Sequence, residues 1–199
     1  VRDDLKLMAA VLLAAYMIHQ FEEHWIDLLG REYPLRETLN ELLRSVYGEE
    51  AYGAMTREAI FYINTAAVWL IGFVGIWRAP EHLFPALVMA GVIFVNGLAH
   101  VVQALATVGY NPGLATSIVL FLPLSVVFFR AALSNGVAGA GQIAAAILMG
   151  VLGHVVLFGG IILANVLGVI PVWLYYLILI GFGLLPLLLY RDPADRESK

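Results

Sequence analysis

The chain is a succession of long apolar runs separated by short polar breaks. A bilayer core about 30 Å thick needs roughly 20 apolar residues of helix to cross it. Six runs approach or exceed that length, at about 5–27, 59–77, 83–107, 114–129, 143–169 and 171–190. The pattern predicts an all-α polytopic bundle in one integral-membrane domain. The fourth run is short and carries Pro123, which predicts a kink, while the fifth is long enough to tilt or overrun the interface. Residues 30–58 form the long polar stretch, and within it Leu39, Leu42, Leu43 and Val46 recur at helical spacing. They predict an amphipathic interfacial helix that caps the bundle, gates lipid access, or only connects two spans. The Gly/Ala tract at 134–146 predicts a turn and then a helix packed closely on a neighbour. Lys6 ahead of the first apolar run resembles the start of a signal peptide, but the following HQFEEHW offers no small-residue cleavage site, so the run is kept as a helix.

Composition agrees, with 61% hydrophobic and 13% charged residues against about 45–50% and 25% in soluble domains. Eleven Lys and Arg against fifteen Asp and Glu set nucleic acid aside as a partner. With no cysteine, disulfides, Fe–S clusters and thiolate zinc sites are excluded, and any metal must take N and O ligands. Six spans place Arg2, Lys6, Arg78, Arg130, Arg191, Arg196 and Lys199 on one side and Arg31, Arg36, Arg44 and Arg57 on the other. The positive-inside rule then puts the termini in the cytoplasm. Trp77 and Tyr190 fall at inner ends, and Trp25, Tyr110, Trp173, Tyr175 and Tyr176 near outer ends, as aromatic belts require.

Several polar residues sit where hydrocarbon is expected. Residues 5–18 supply only about 21 Å of helix, so the first span cannot be completed without His19, Gln20, Phe21, Glu22, Glu23 and His24. An ionisable side chain at the bilayer centre costs at least about 2.5–3.5 kcal/mol, so the two carboxylates need compensation. His19, Glu22 and Glu23 share a helix face through their i, i+3 and i+4 spacing, extended by Tyr16 and Asp27, whereas His24 is turned about 140° from His19. The second span carries Asn64, the third Asn96 and His100 with Gln103 beyond, and the fifth His154 between Gly150 and Gly153. Counted along alternating spans, His19, Asn64, Asn96, His100 and His154 all fall about 17–25 Å from the inner edge. Each has a plain reading when taken alone: a first helix ending in headgroups, an interhelical hydrogen bond, a satisfied core histidine. Their common depth argues for one site in the outer half of the bilayer. His82, beside Glu81 in an inner turn, reads as a surface residue.

His19-Gln-Phe-Glu22-Glu23, Asn96-Gly-Leu-Ala-His100, Tyr110-Asn-Pro-Gly113 and the later His154 together resemble the HXXEE family of small integral-membrane proteins. The resemblance spans most of the chain and implies a membrane-embedded, metal-dependent enzyme. It marks His19, Glu22, Glu23, Asn96, His100 and His154 as site residues.

Three histidines and one or two carboxylates suffice for zinc or non-haem iron, and the set leans to zinc. In this reading His19, His100, His154 and one of Glu22 and Glu23 bind a divalent metal, the other carboxylate is a free general base, and Asn96 orients a ligand or holds an oxyanion. Zinc implies hydrolysis of a lipid-like ester or amide, and iron implies oxidation of an alkyl chain. The same residues without metal allow acid/base isomerisation, and a proton-coupled carrier is a third reading. The expected partner is a membrane lipid or lipid-like small molecule arriving sideways between helices. The Tyr110-Asn-Pro-Gly113 turn either lids the site or only joins two spans.

Overall fold

The structure, a computed structural model, describes residues 2–79 and 81–189. Pro80, Tyr190, Arg191, Arg196 and Lys199, and with them the inner end of the last apolar run, lie outside the described residues. Seven helices are found among those described: α1 (Arg2–His24), α2 (Pro34–Tyr47), α3 (Arg57–Arg78), α4 (Phe84–Thr107), α5 (Leu114–Ser134), α6 (Ala140–Val166) and α7 (Val172–Leu187). Five are long and apolar enough to cross a bilayer, namely α1 from Asp3 onward, α3, α4, α5 and α6. The sixth apolar run yields the shorter α7. The amphipathic segment folds as expected into α2, which opens on Pro34, where a missing N–H costs nothing, and stops at Gly48 with φ 95°. Thr56 then starts α3 by accepting the Ala59 amide at 3.0 Å.

The fourth span departs from expectation by running on to Ser134 instead of ending at 129. Its backbone widens into a π turn over Ser117–Phe121, immediately before Pro123 removes an N–H from the ladder. A local widening of this kind absorbs the lost bond without ending the helix. Similar wide turns lie within α3 at Thr65–Leu70 and within α6 at Ile162–Val166.

The central helix is α4, which packs on α1, α3, α5 and α6. Its first half, from Phe84 to Ile93, is buried throughout, in one cluster with Leu12 and Tyr16 of α1, Ile71 of α3, Phe121 and Phe128 of α5 and Met149 of α6. Large apolar side chains such as Leu105, Val119, Val155 and Leu177 point outward, while His19, Glu22, Glu23 and His100 are buried inside. That inverts the arrangement of a water-soluble domain and suits helices bathed in lipid.

Trp25, Trp77 and Trp173 are exposed, as belt residues should be, but Tyr175 is not. It is buried against α6, and its hydroxyl donates to the Leu157 carbonyl at 3.0 Å. His82 is likewise buried rather than on the surface, with Nε2 3.0 Å from the Leu189 carbonyl, so it ties the turn before α4 to the chain just past α7.

Small residues let α4 and α6 touch through their backbones. A Cβ added at Gly91 would lie 2.3 Å from the Ala146 carbonyl oxygen, and one at Gly150 would lie 2.5 Å from the Gly91 oxygen. Gly150→Ala is therefore expected to destabilise the protein by about 1–3 kcal/mol through overpacking. Gly159→Ala, with nothing within 4 Å of the added Cβ, should be neutral or slightly stabilising. Thermal unfolding in detergent micelles compares the two.

Candidate metal centre

The last turn of α1 places His19 and Glu23 one above the other, and α4 brings His100 to meet them. Nε2 of His19 and Nε2 of His100 each lie 3.1 Å from the same atom, Oε1 of Glu23. All three side chains are buried, and one potential ligand atom from each lies within 4.8 Å of the others.

The hydrogen bonds behind the histidines decide which atoms these are. His19 Nδ1 lies 2.7 Å from the Thr116 hydroxyl. That hydroxyl donates its one proton to Glu22 at 2.6 Å, and its other neighbour, the Gly113 carbonyl at 3.2 Å, is also an acceptor. Toward His19 it can only accept, so Nδ1 carries the proton. On the other side, Asn111 donates its Nδ2 to the His100 carbonyl at 2.9 Å, which turns its Oδ1 to His100 Nδ1 at 2.6 Å. His100 Nδ1 is therefore also the protonated nitrogen. With the proton on Nδ1, a neutral ring turns its Nε2 lone pair to the carboxylate oxygen, whereas a ring protonated on both nitrogens would donate to it, as His100 Nε2 can at 3.1 Å; the buried Nε2 of His19 has no hydrogen-bond partner among the described residues. Three electron pairs converging in a low-dielectric interior repel unless a cation or additional protons sit among them. Nδ1 tied to an outer group and Nε2 turned inward is how proteins hold metal-binding imidazoles.

The second oxygen of Glu23 is held separately. Gln20 donates to Oε2 at 3.0 Å, Asn64 donates to Gln20 Oε1 at 2.6 Å, and the Tyr16 hydroxyl donates to Asn64 Oδ1 at 2.6 Å. This chain links the carboxylate to α3 at the point where its π turn begins. His24 Nε2 lies 3.6 Å from Glu23 Oε2 and 3.4 Å from the Asn64 amide nitrogen, so His24 and Asn64 both border the centre.

Glu22 has a different occupation. Its oxygens accept the backbone amides of Ala115 and Thr116 at 3.1 and 2.9 Å, the Thr116 hydroxyl, and the Tyr110 hydroxyl at 2.8 Å. Gly113, which precedes α5, has no side chain with which to cap it, so a carboxylate from α1 takes the cap position at the positive end of the helix. Glu22 is thus not the free base that the sequence reading left open. It fixes Thr116, and Thr116 fixes His19. Gly113 itself has φ 92°, and a Cβ there would lie 2.7 Å from Cε1 of both His19 and His100.

His154 and Asn96 are not brought into the three-residue group. Nδ1 of His154 lies 2.8 Å from the Gly150 carbonyl of its own helix, and the ring lines a cavity of about 150 Å³ whose wall also includes Glu23, His100 and Asn96. The Asn96 Oδ1 is buried without a partner. Asp27 also stands apart, because it closes the turn after α1 by accepting the Leu29 and Arg31 amides, each at 2.9 Å, and pairing with the Arg31 guanidinium at 2.7 Å. Burial pushes its carboxyl up, but the hydrogen bonds from Arg31 and Leu29 and the Arg31 charge outweigh it and hold the carboxyl below the usual range. Sequence reasoning does not single out Thr116, Asn111 or Gln20. Only the tight Asn111-Pro-Gly113 turn offered a signal, and it packs against the histidines as well as joining two spans.

The sequence model of the family described as "Protein of unknown function with HXXEE motif" matches residues 10–128, well over half of the chain. The chain belongs to that family, and the matched region contains His19, Glu22, Glu23, Asn96, His100, Asn111 and Thr116. No curated protein and no solved structure matches it.

Two outcomes are expected from this geometry. Gly113→Ala should cost more than about 2 kcal/mol by combining a left-handed backbone with a clash on both imidazoles, whereas Gly109→Ala, whose nearest neighbour would be at 3.7 Å, should cost far less in the same melting experiment. Asp27 has a lower pKa folded than unfolded, so its contribution is complete above the ordinary aspartate value of about 3.9 and fades as pH falls through the folded value. Asp27→Asn should accordingly lower the melting temperature at neutral pH, and the difference should shrink steadily below about pH 4.

Proposed function

We propose that this protein is a membrane-embedded, metal-dependent hydrolase of a lipid-like substrate, with zinc held by His19, His100 and Glu23. The observation that carries the reading is the pair of histidines whose Nδ1 atoms are hydrogen-bonded outward while both Nε2 atoms lie 3.1 Å from one Glu23 oxygen. Two histidines and one carboxylate are a set that catalytic zinc uses while keeping a position open, and the same set serves non-haem iron. Bound there, a divalent ion would supply Lewis acidity and a water of pKa lowered toward about 7.

The chain's own groups have distinct parts in this reading. Thr116 and Asn111 hold the two rings in their ligating tautomers, and Gln20 keeps Glu23 from turning away. Glu22 holds Thr116 and offsets the remaining positive charge of the ion. Asn96, on the cavity wall with its Oδ1 unpaired, is placed to accept a hydrogen bond from the substrate's polar group. A substrate reaches the cavity sideways from the bilayer, and α2, which contributes Leu35 and Leu39 to its wall, covers it on the water side. In this topology the termini are cytoplasmic and the centre lies in the outer half of the membrane.

Elemental analysis of protein purified without chelator should find about one zinc per chain. His19→Ala, Glu23→Gln and His100→Ala should each abolish that metal, whereas His82→Ala should retain it. Glu22→Gln should weaken affinity by about 10–100-fold, as loss of a supporting hydrogen bond does. Protein that takes up no transition metal even from excess zinc would overturn the reading and return the His/Glu cluster to metal-free acid/base chemistry.

A further inference from the structure

The cavity beside the centre carries information about the lipid it receives. Its wall follows α4 from Val88 to Gln103, about 22 Å of helix. Along α4 the lining passes from the apolar Val88 and Val92 to the polar Asn96, His100 and Gln103, and Val68 and Ile71 of α3 add to its apolar part. A single hydrocarbon chain with its polar group at the metal matches this distribution.

Charge narrows the class. Among the described residues no Lys or Arg lines the cavity, and a divalent ion at the centre would already be balanced by Glu22 and Glu23. An anionic headgroup would find no counter-charge of its own, and a cationic one would compete with the metal for Glu23. An uncharged polar group incurs neither cost.

Hydrogen bonding narrows it again. His154 donates Nδ1–H to the Gly150 carbonyl at 2.8 Å, so the Nε2 of the neutral ring is an acceptor. Asn96 lines the same cavity from α4, and its Oδ1 is buried with no donor among the described residues. Two acceptors on neighbouring helices, one of them buried and unpaired, call for a ligand that brings an N–H or O–H group, because leaving a buried acceptor unpaired is costly.

We infer that the cavity selects an uncharged single-chain fatty amide, its N–H groups read by His154 and Asn96 and its carbonyl at the centre. This deepens the hydrolase reading and rests on it. A primary amide supplies both donors and a bond to hydrolyse: water forms the new C–O bond, the C–N bond breaks, and the nitrogen leaves as ammonia with a proton from that water.

The test is equilibrium binding to the whole protein in zwitterionic nanodiscs, using dodecanamide, N,N-dimethyldodecanamide, dodecanoate and dodecyltrimethylammonium. Dodecanamide should bind about tenfold or more tightly than the dimethyl amide, which has the same chain and carbonyl but no N–H, and more tightly than either ion. His154→Leu and Asn96→Leu should each erase that preference while metal content stays at the wild-type level. Equal or tighter binding of the dimethyl amide or of dodecanoate would overturn the inference, and the wild-type series decides this even if a variant fails to fold. Metal measured on the same samples separates the two ideas. Selectivity for the amide without metal would sink the hydrolase reading alone, and metal without selectivity would sink the fatty-amide assignment alone.

Discussion

Two imidazole nitrogens meet one carboxylate oxygen inside the bundle, each 3.1 Å from it. The surrounding structure is arranged to keep them so. Thr116 and Asn111 take the Nδ1 protons, Gln20 holds the far oxygen of Glu23, and Gly113 leaves room for both rings where any side chain would strike them. Three buried ligand-type atoms this close need a cation or added protons among them, and the hydrogen bonds to their outer atoms make this a group that could hold a metal ion.

The two adjacent glutamates divide the labour by angle. At about 100° per residue, Glu22 falls about 60° to one side of His19 and Glu23 about 40° to the other. The first faces the start of α5 and the second faces α4. One carboxylate therefore satisfies a helix terminus while its neighbour joins the histidines, and the identical chemistry of the pair conceals two unrelated jobs. A substitution at Glu22 acts on the centre through Thr116, whereas one at Glu23 acts on it directly.

Much of this was legible in the residues before any coordinates. The apolar runs located every long helix, and the hydrophobic spacing at Leu39, Leu42 and Leu43 located α2. The coincidence in depth of His19 and His100 placed them in one layer, since depth follows from counting along straight helices. Rotation about the helix axis does not. Helical spacing alone could not say which glutamate would turn to α4, nor that α6 would leave His154 on the cavity wall instead of beside the other two. Thr116, Asn111 and Gln20 look like ordinary polar residues because their roles depend on partners 97, 11 and 3 residues away. The wide turn before Pro123 has no sequence mark of its own, and the burial of Tyr175 and His82, by α6 and by the chain after α7, is a property of packing.

The Glu22 cap has a consequence for how the chain is built. Glu23 has Gln20 in its own helix and then His100, but until residues 115 and 116 arrive Glu22 lacks the amides that it caps. Nearly a hundred residues of later chain must be synthesised first. The hydrogen bonds that Glu22 makes are therefore complete only when the fifth helix has joined the first.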